Sequence, residues 1–137
     1  MEKEQSCKAL WARSKDARVR DLRRLWKAEQ AGNEEGIEDL GTLNEYGLCF
    51  DHVAPGTFND QPYGYWRYQN SCGGPCEEFR FYGTPRQALR VEFTYLAWYT
   101  GHTRALVGRD LVLLQELFAW FAEGGTTEST RAAAEAE

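Results

Sequence analysis

The sequence predicts an α+β fold: an antiparallel β-meander of four to five strands, with an N-terminal helix and a C-terminal helix packed on it. Three observations predict it. The first 31 residues hold neither Pro nor Gly and are rich in Arg, Lys, Ala and Leu, a helix-forming composition. From Tyr46 the apolar residues alternate, in runs separated by Pro/Gly clusters, which is the period of half-buried strands. From Asp110 they return to a helical spacing. The chain length suits one domain over 1–125, with a basic helical arm at 1–31, an antiparallel sheet at 46–107 and a C-terminal helix at 110–123.

In the arm, Cys7, Leu10 and Trp11, then Val19, Leu22, Leu25 and Trp26, form a stripe at spacings of three and four. Ala31-Gly32-Asn33 ends the helix, and the acidic stretch after it reads as a linker. "EYGLCFDHVA" places Tyr46, Leu48, Phe50 and His52 on one side of a first strand that Pro55-Gly56 terminates. Strands at about 63–70, 77–82 and 88–98 follow, then a turn at Thr100-Gly101-His102 and a short fifth strand over 104–107. The final helix presents Leu111, Leu114, Phe118 and Phe121, with Leu113, Leu117 and Trp120 beside them, and Gly124-Gly125 supplies its left-handed stop. The tail, 126–137, offers nothing to pack and is expected to be disordered.

Composition excludes several classes. No apolar run approaches the roughly 20 residues of a membrane span, and the charged start, MEKEQSCK, is unlike a signal peptide. Four scattered cysteines without such a signal point to a reducing cytoplasm. Residues 1–30 carry nine Lys/Arg against five Asp/Glu, while the rest carries seven against sixteen. An acidic body argues against general duplex-DNA binding, whereas the basic arm allows RNA contact.

Cys49, His52, Cys72 and Cys76 are residue types that bind zinc. Ligands three apart on a strand point to opposite faces, however, and the Cys72–Cys76 spacing is one residue longer than the usual knuckle. A Cys72–Cys76 disulfide is sterically conceivable but disfavoured in a cytoplasm, so the Gly73-Gly74-Pro75 tip reads first as a hairpin bend. Placing Asn70 opposite Glu77 pairs Tyr68 with Phe79 and Trp66 with Phe81. Placing Tyr82 opposite Ala88 brings Leu89 beside Phe81 and Val91 beside Phe79. One face is then Trp66, Tyr68, Phe79, Phe81, Leu89, Val91 and Phe93, an apolar layer for the helices.

On the other face the same register aligns Arg67, Arg80 and Arg90, with Gln69, Glu78 and Glu92 in the next row and Tyr65 beside Tyr82. Like charges directly opposite repel. The face is therefore either a solvated surface with diagonal Arg–Glu pairs or a docking surface anchored by Tyr65 and Tyr82. Lys15, Arg18, Arg20, Arg23, Arg24 and Lys27 surround the arm's apolar stripe, either as a solvated face complementing the acidic body or as an RNA contact. Catalytic patterns are thin: two histidines, no recognisable nucleophile motif, and a conceivable Asp51/Asp60 carboxylate pair flanking a loop.

Residues 43–82 carry Tyr-Gly-Leu-x-Phe-Asp-x-Val-Ala-Pro-Gly-Thr-Phe, then Gly-Tyr-x-Arg-Tyr-Gln and Gly-Gly-Pro-x-x-Glu-Phe-Arg-Phe. This block resembles one found in small uncharacterised accessory proteins of bacterial plasmids and integrated elements, where serine or tryptophan stands in place of Cys72 and Cys76. The resemblance implies a mobile-element accessory protein, a class that includes counter-defence factors such as anti-CRISPR and anti-restriction proteins. The expectation is a non-enzymatic, cytoplasmic inhibitor without cofactor or metal that binds a host defence protein or ribonucleoprotein complex. Its expected contact residues are Arg67, Arg80, Arg90, Tyr65 and Tyr82 on the sheet and Arg20, Arg23, Arg24 and Lys27 on the arm. The alternatives are a zinc-stabilised nucleic-acid-associated regulator and a small hydrolase using Asp51 and Asp60.

Overall fold

The computed structural model describes residues 2–97 and 100–136. Its elements in chain order are α1 (Glu2–Gln30), α2 (Leu43–Tyr46), β1 (Cys49–Val53), β2 (Tyr65–Cys72), β3 (Cys76–Gly83), β4 (Ala88–Ala97), β5 (Thr100–Ala105), α3 (Gly108–Glu123) and α4 (Thr126–Ala136). The strands form one antiparallel sheet in sequence order, so the fold is the α+β meander with flanking helices. Trp98, read as the end of the fourth strand, and the Cys7 side chain lie outside the described residues. No helix among the described residues is long and apolar enough to cross a membrane.

One sheet face carries Trp66, Tyr68, Phe79, Phe81, Val91 and Phe93, all buried, and these pack with Val19, Leu22 and Leu25 of α1 and with Leu114, Leu117, Phe118 and Phe121 of α3. The rings meet in tilted and edge-on pairs, such as Trp66–Phe118 at 5.3 Å and Phe79–Phe93 at 4.8 Å, geometries that their quadrupoles favour. Trp11 on α1 donates its indole N–H to the Phe93 carbonyl at 2.8 Å, fixing the first half of the helix over β4.

The structure revises the sequence reading in several places. Tyr46 belongs to a helical turn rather than a strand, because the Glu45 carboxylate reaches back to the Thr42 N–H at 3.0 Å as in a capping box. Leu48 is consequently exposed and β1 begins at Cys49. Gly47 lets the chain pass directly against the Tyr68 ring, where a Cβ would collide with it. Thr100, Gly101 and His102 are strand, not turn: Thr103 and Thr94 share a hydroxyl hydrogen bond at 2.9 Å, and Gly101 leaves room for the Leu96 side chain beside it.

Two bulges shift the expected register. Asn70 is an extra, buried residue of β2, so Glu77 faces Ser71 while Tyr68–Phe79 and Trp66–Phe81 pair as expected. At the next turn, Phe81 faces Val91 and Phe79 faces Phe93, two residues from the expected pairing. The shift at Tyr82/Gly83, with Gly83 at φ 151°, turns Ala88 into the core and leaves Leu89 outside, 65% exposed. A slip of two preserves side-chain parity, so the rest of the apolar face survives it.

The expected disordered tail is a helix. Gly125, at φ 82°, reverses the chain after α3, and α4 returns against β1 with Thr127 fully buried. Trp66 donates its indole N–H to the Thr127 carbonyl at 2.9 Å, and the Thr127 hydroxyl donates to the Pro85 carbonyl. The hairpin tip also differs: Cys72 and Cys76 are joined as a disulfide across the end of β2 and β3.

Candidate functional site

The polar face of the sheet is hollowed into a recess of about 440 Å³, walled on one side by the loop between β1 and β2. Pro55 and Gly56 bend the chain out of β1, with Gly56 at φ 79° and its N–H donating to the Gln61 carbonyl at 2.8 Å. The Gln61 side chain knits the loop. Its amide donates to the Ala54 and Tyr63 carbonyls at 3.0 and 2.9 Å, and its Oε1 accepts from the Phe58 N–H at 3.0 Å. Asp60 sits at the crest at φ 53°, a left-handed geometry that Asp tolerates better than most side chains.

Gln61 therefore holds the loop's shape without touching the core. Replacing it with Ala removes three hydrogen bonds of about 0.5 kcal/mol each, the low end that exposed loop bonds contribute. The Q61A chain is expected to keep its melting temperature within a few degrees and to be cut by protease within 54–64 at least tenfold faster.

The floor of the recess is Tyr65, Arg67, Glu78, Arg80 and Tyr82. Arg67 and Arg80 do face each other, as the sequence reading required. Arg90 does not join them: the two-residue slip sets it opposite Tyr82 and brings Glu92 opposite Arg80. Repulsion is relieved within the face. Arg67 makes a bidentate pair with Asp51 at 3.0 and 2.6 Å, Arg80 donates Nε to Glu78 at 2.7 Å, and Arg90 donates Nε to Glu92 at 3.0 Å.

Glu78 is only 3% exposed at its side chain. Burial alone would lower the Arg80 pKa, but its bond to Glu78 carries the value above the ordinary one; the Asp51 hydrogen bonds do the same for Arg67 against its burial. The Arg80 guanidinium also lies over the Tyr65 ring, 5.0 Å from its centroid. Tyr65 and Tyr82 pack together at 5.5 Å, and burial pushes the Tyr82 hydroxyl up to about 12, with Glu92 adding to the effect. Tyr65 is 2% exposed, so it is the floor beneath the arginines rather than an outward anchor.

The rim is apolar. Phe58 is 52% exposed, Tyr63 73% and Leu96 41%, and all three line the recess. None was singled out from the sequence: Phe58 and Tyr63 lie in a loop with no period to mark them, and Leu96 falls on the outward parity of β4. Of the conceivable carboxylate pair, Asp51 on β1 is held by Arg67 while Asp60 stands on the loop.

The zinc-ligand types are not gathered. Cys72 and Cys76 bond each other, Cys49 is exposed and paired in register with Gln69, and His52 packs edge-on to Trp66 at 4.7 Å. Among the described residues no group of three or more His, Cys, Asp or Glu stands close enough to hold a metal.

From Lys15 to Lys27 the cations of α1 divide into two sets. Lys15 and Arg23 bind Asp110 of α3 at 2.9 and 3.3 Å, and Arg18 binds Glu77 of β3 at 2.7 Å. These clamp the helix to the body, Arg23 among them. Arg20, Arg24 and Lys27 point outward. Comparison with known proteins finds no match to a family model, to a curated protein or to a solved structure.

Proposed function

We propose that the chain is a non-enzymatic interaction protein of a mobile genetic element, a counter-defence inhibitor of the anti-CRISPR kind that binds a host nuclease or nucleoprotein complex in the cytoplasm. The observation that carries the binding reading is the clustering of Phe58, Tyr63 and Leu96 around a floor of Tyr and Arg side chains. Exposed apolar side chains gathered at one place are characteristic of docking sites, and Tyr and Arg are the residues most enriched among binding hot spots. The arginines are already neutralised by their own sheet, so the attraction is apolar contact first, with Arg67 and Arg80 supplying directional hydrogen bonds. The mobile-element part rests on the resemblance over residues 43–82, the stretch that builds β1, the loop, β2 and most of β3.

The test is affinity capture from bacterial lysate, with and without nuclease, using the wild type and the double variant Phe58→Ser/Tyr63→Ser. Both positions are exposed, so the variant should melt within about 2 °C of the wild type. It is expected to lose at least 90% of the captured complex, and equal capture by both proteins would refute the assignment of this face.

A further inference from the structure

A second surface lies outside the sheet recess and has its own chemistry. Arg20, Arg24 and Lys27 fall at i, i+4 and i+7 on α1, a single stripe about 10 Å long. Like charges so spaced disfavour a helix by a few tenths of a kcal/mol per pair, and Arg20 has only Asp21 at 3.9 Å to offset this. Among the described residues Arg24 and Lys27 have no ion-pair partner, and neither does Arg109 at the start of α3. Every inward cation of the helix has an acid, whereas this outward group has only the distant Asp21 beside Arg20, in a chain whose net charge is −5.

The stripe borders two cavities that share Arg23 and Lys27, one of about 310 Å³ and one of about 540 Å³. The larger has an apolar floor of Trp26, Val112 and Leu113, with Val112 53% exposed. Glu116 accepts the Trp26 indole N–H at 3.2 Å, which orients the half-buried ring at the cavity wall. A row of outward cations leading to an oriented indole has the composition of a single-strand nucleic-acid site, with phosphates on the row and a base against the ring.

We propose that the α1–α3 cleft binds single-stranded nucleic acid, with Arg20, Arg24, Lys27 and Arg109 on phosphates and Trp26 stacking one base. This surface is separate from the sheet recess, and its failure would leave the docking reading of that face untouched.

The experiment is fluorescence anisotropy of labelled 10-nucleotide RNA and DNA strands of mixed sequence, and of a duplex of the same sequence, against purified full-length protein. At least one single strand should bind at micromolar concentration, with log K falling by about 3 per decade of salt for four neutralised phosphates. The duplex should bind at least tenfold more weakly. Arg24→Glu/Lys27→Glu, both exposed, should reduce strand affinity at least tenfold at an unchanged melting temperature. The relative affinity of the RNA and DNA arms identifies which strand the cleft prefers. Absence of strand binding, binding that ignores salt, or equal binding by the charge-reversed variant would overturn the proposal, as would association only with vesicles of anionic lipid.

Discussion

Removing residues 126–137 is expected to destabilise the fold by about 3–5 kcal/mol, the range of a large core deletion, and to lower the melting temperature by roughly 10 °C or more. The cause is local. Thr127 is fully buried, the Trp66 indole loses its acceptor when the Thr127 carbonyl is gone, and Pro85 loses its hydroxyl partner. Trp66 is 2% exposed and packs on Phe118 and His52, so uncovering it opens the edge of the core above β1 and β2. His52 supplies an independent reading. Burial, with the nearby Arg131 charge, holds its pKa below the ordinary 6.5, and in the truncated chain the value should rise towards 6.5. Denaturant melts combined with imidazole NMR titration check both outcomes; a chain ending at Gly125 that melts like the full one would show that α4 is only draped on the surface.

That helix shows where sequence reasoning stops. "TTESTRAAAEA" has no apolar side chain larger than alanine, so a rule that looks for a stripe of large ones finds nothing to pack. What docks it is a single residue: the Thr127 carbonyl and its side-chain hydroxyl meet groups 61 and 42 residues away. The strands were legible for the opposite reason, because each alternates large apolar residues that must share a face. Parity is robust to a slip of two, so the core list survived apart from Leu89, while the pairing of Arg90 did not. Bulges at Asn70 and Gly83 insert single residues without altering the local period until after they occur, which is why Leu89 was assigned inward and is outward. At the candidate site, Arg67, Arg80, Tyr65 and Tyr82 came from strand register. Phe58, Tyr63 and Gln61 lie in a loop whose shape depends on hydrogen bonds with no sequence period.

Beside the disulfide at the hairpin tip stands Glu77, which joins the tip to the basic helix. Glu77 accepts hydrogen bonds from Ser14 and Arg18 of α1 and from Ser71 of β2, with the Arg18 contact at 2.7 Å and side-chain exposures of 22% for Arg18 and 14% for Glu77. Arg18 also donates to the Tyr46 hydroxyl at 3.0 Å, which in turn donates to Asp21 at 2.9 Å. One carboxylate thus ties the basic helix, the α2 turn and the β2–β3 hairpin together.

Burial alone would raise the Glu77 pKa, yet its three donors outweigh that and hold it below 4.5. A carboxylate with a depressed folded pKa contributes stability that is present above its unfolded value and is lost as pH falls through the folded one. Glu77→Ala should therefore cost about 2–3 kcal/mol at neutral pH, since it removes charge-assisted bonds and strands Arg18 in a half-buried position. Between the wild type and Glu77→Gln the gap in stability should be widest at pH 6–7 and close progressively below about pH 4.5, as the wild-type carboxyl takes up its proton. Urea melts of both proteins from pH 7 to pH 3 measure this. A gap that stays constant across that range would mean the Arg18–Glu77 charge pair is not what secures α1 to the sheet.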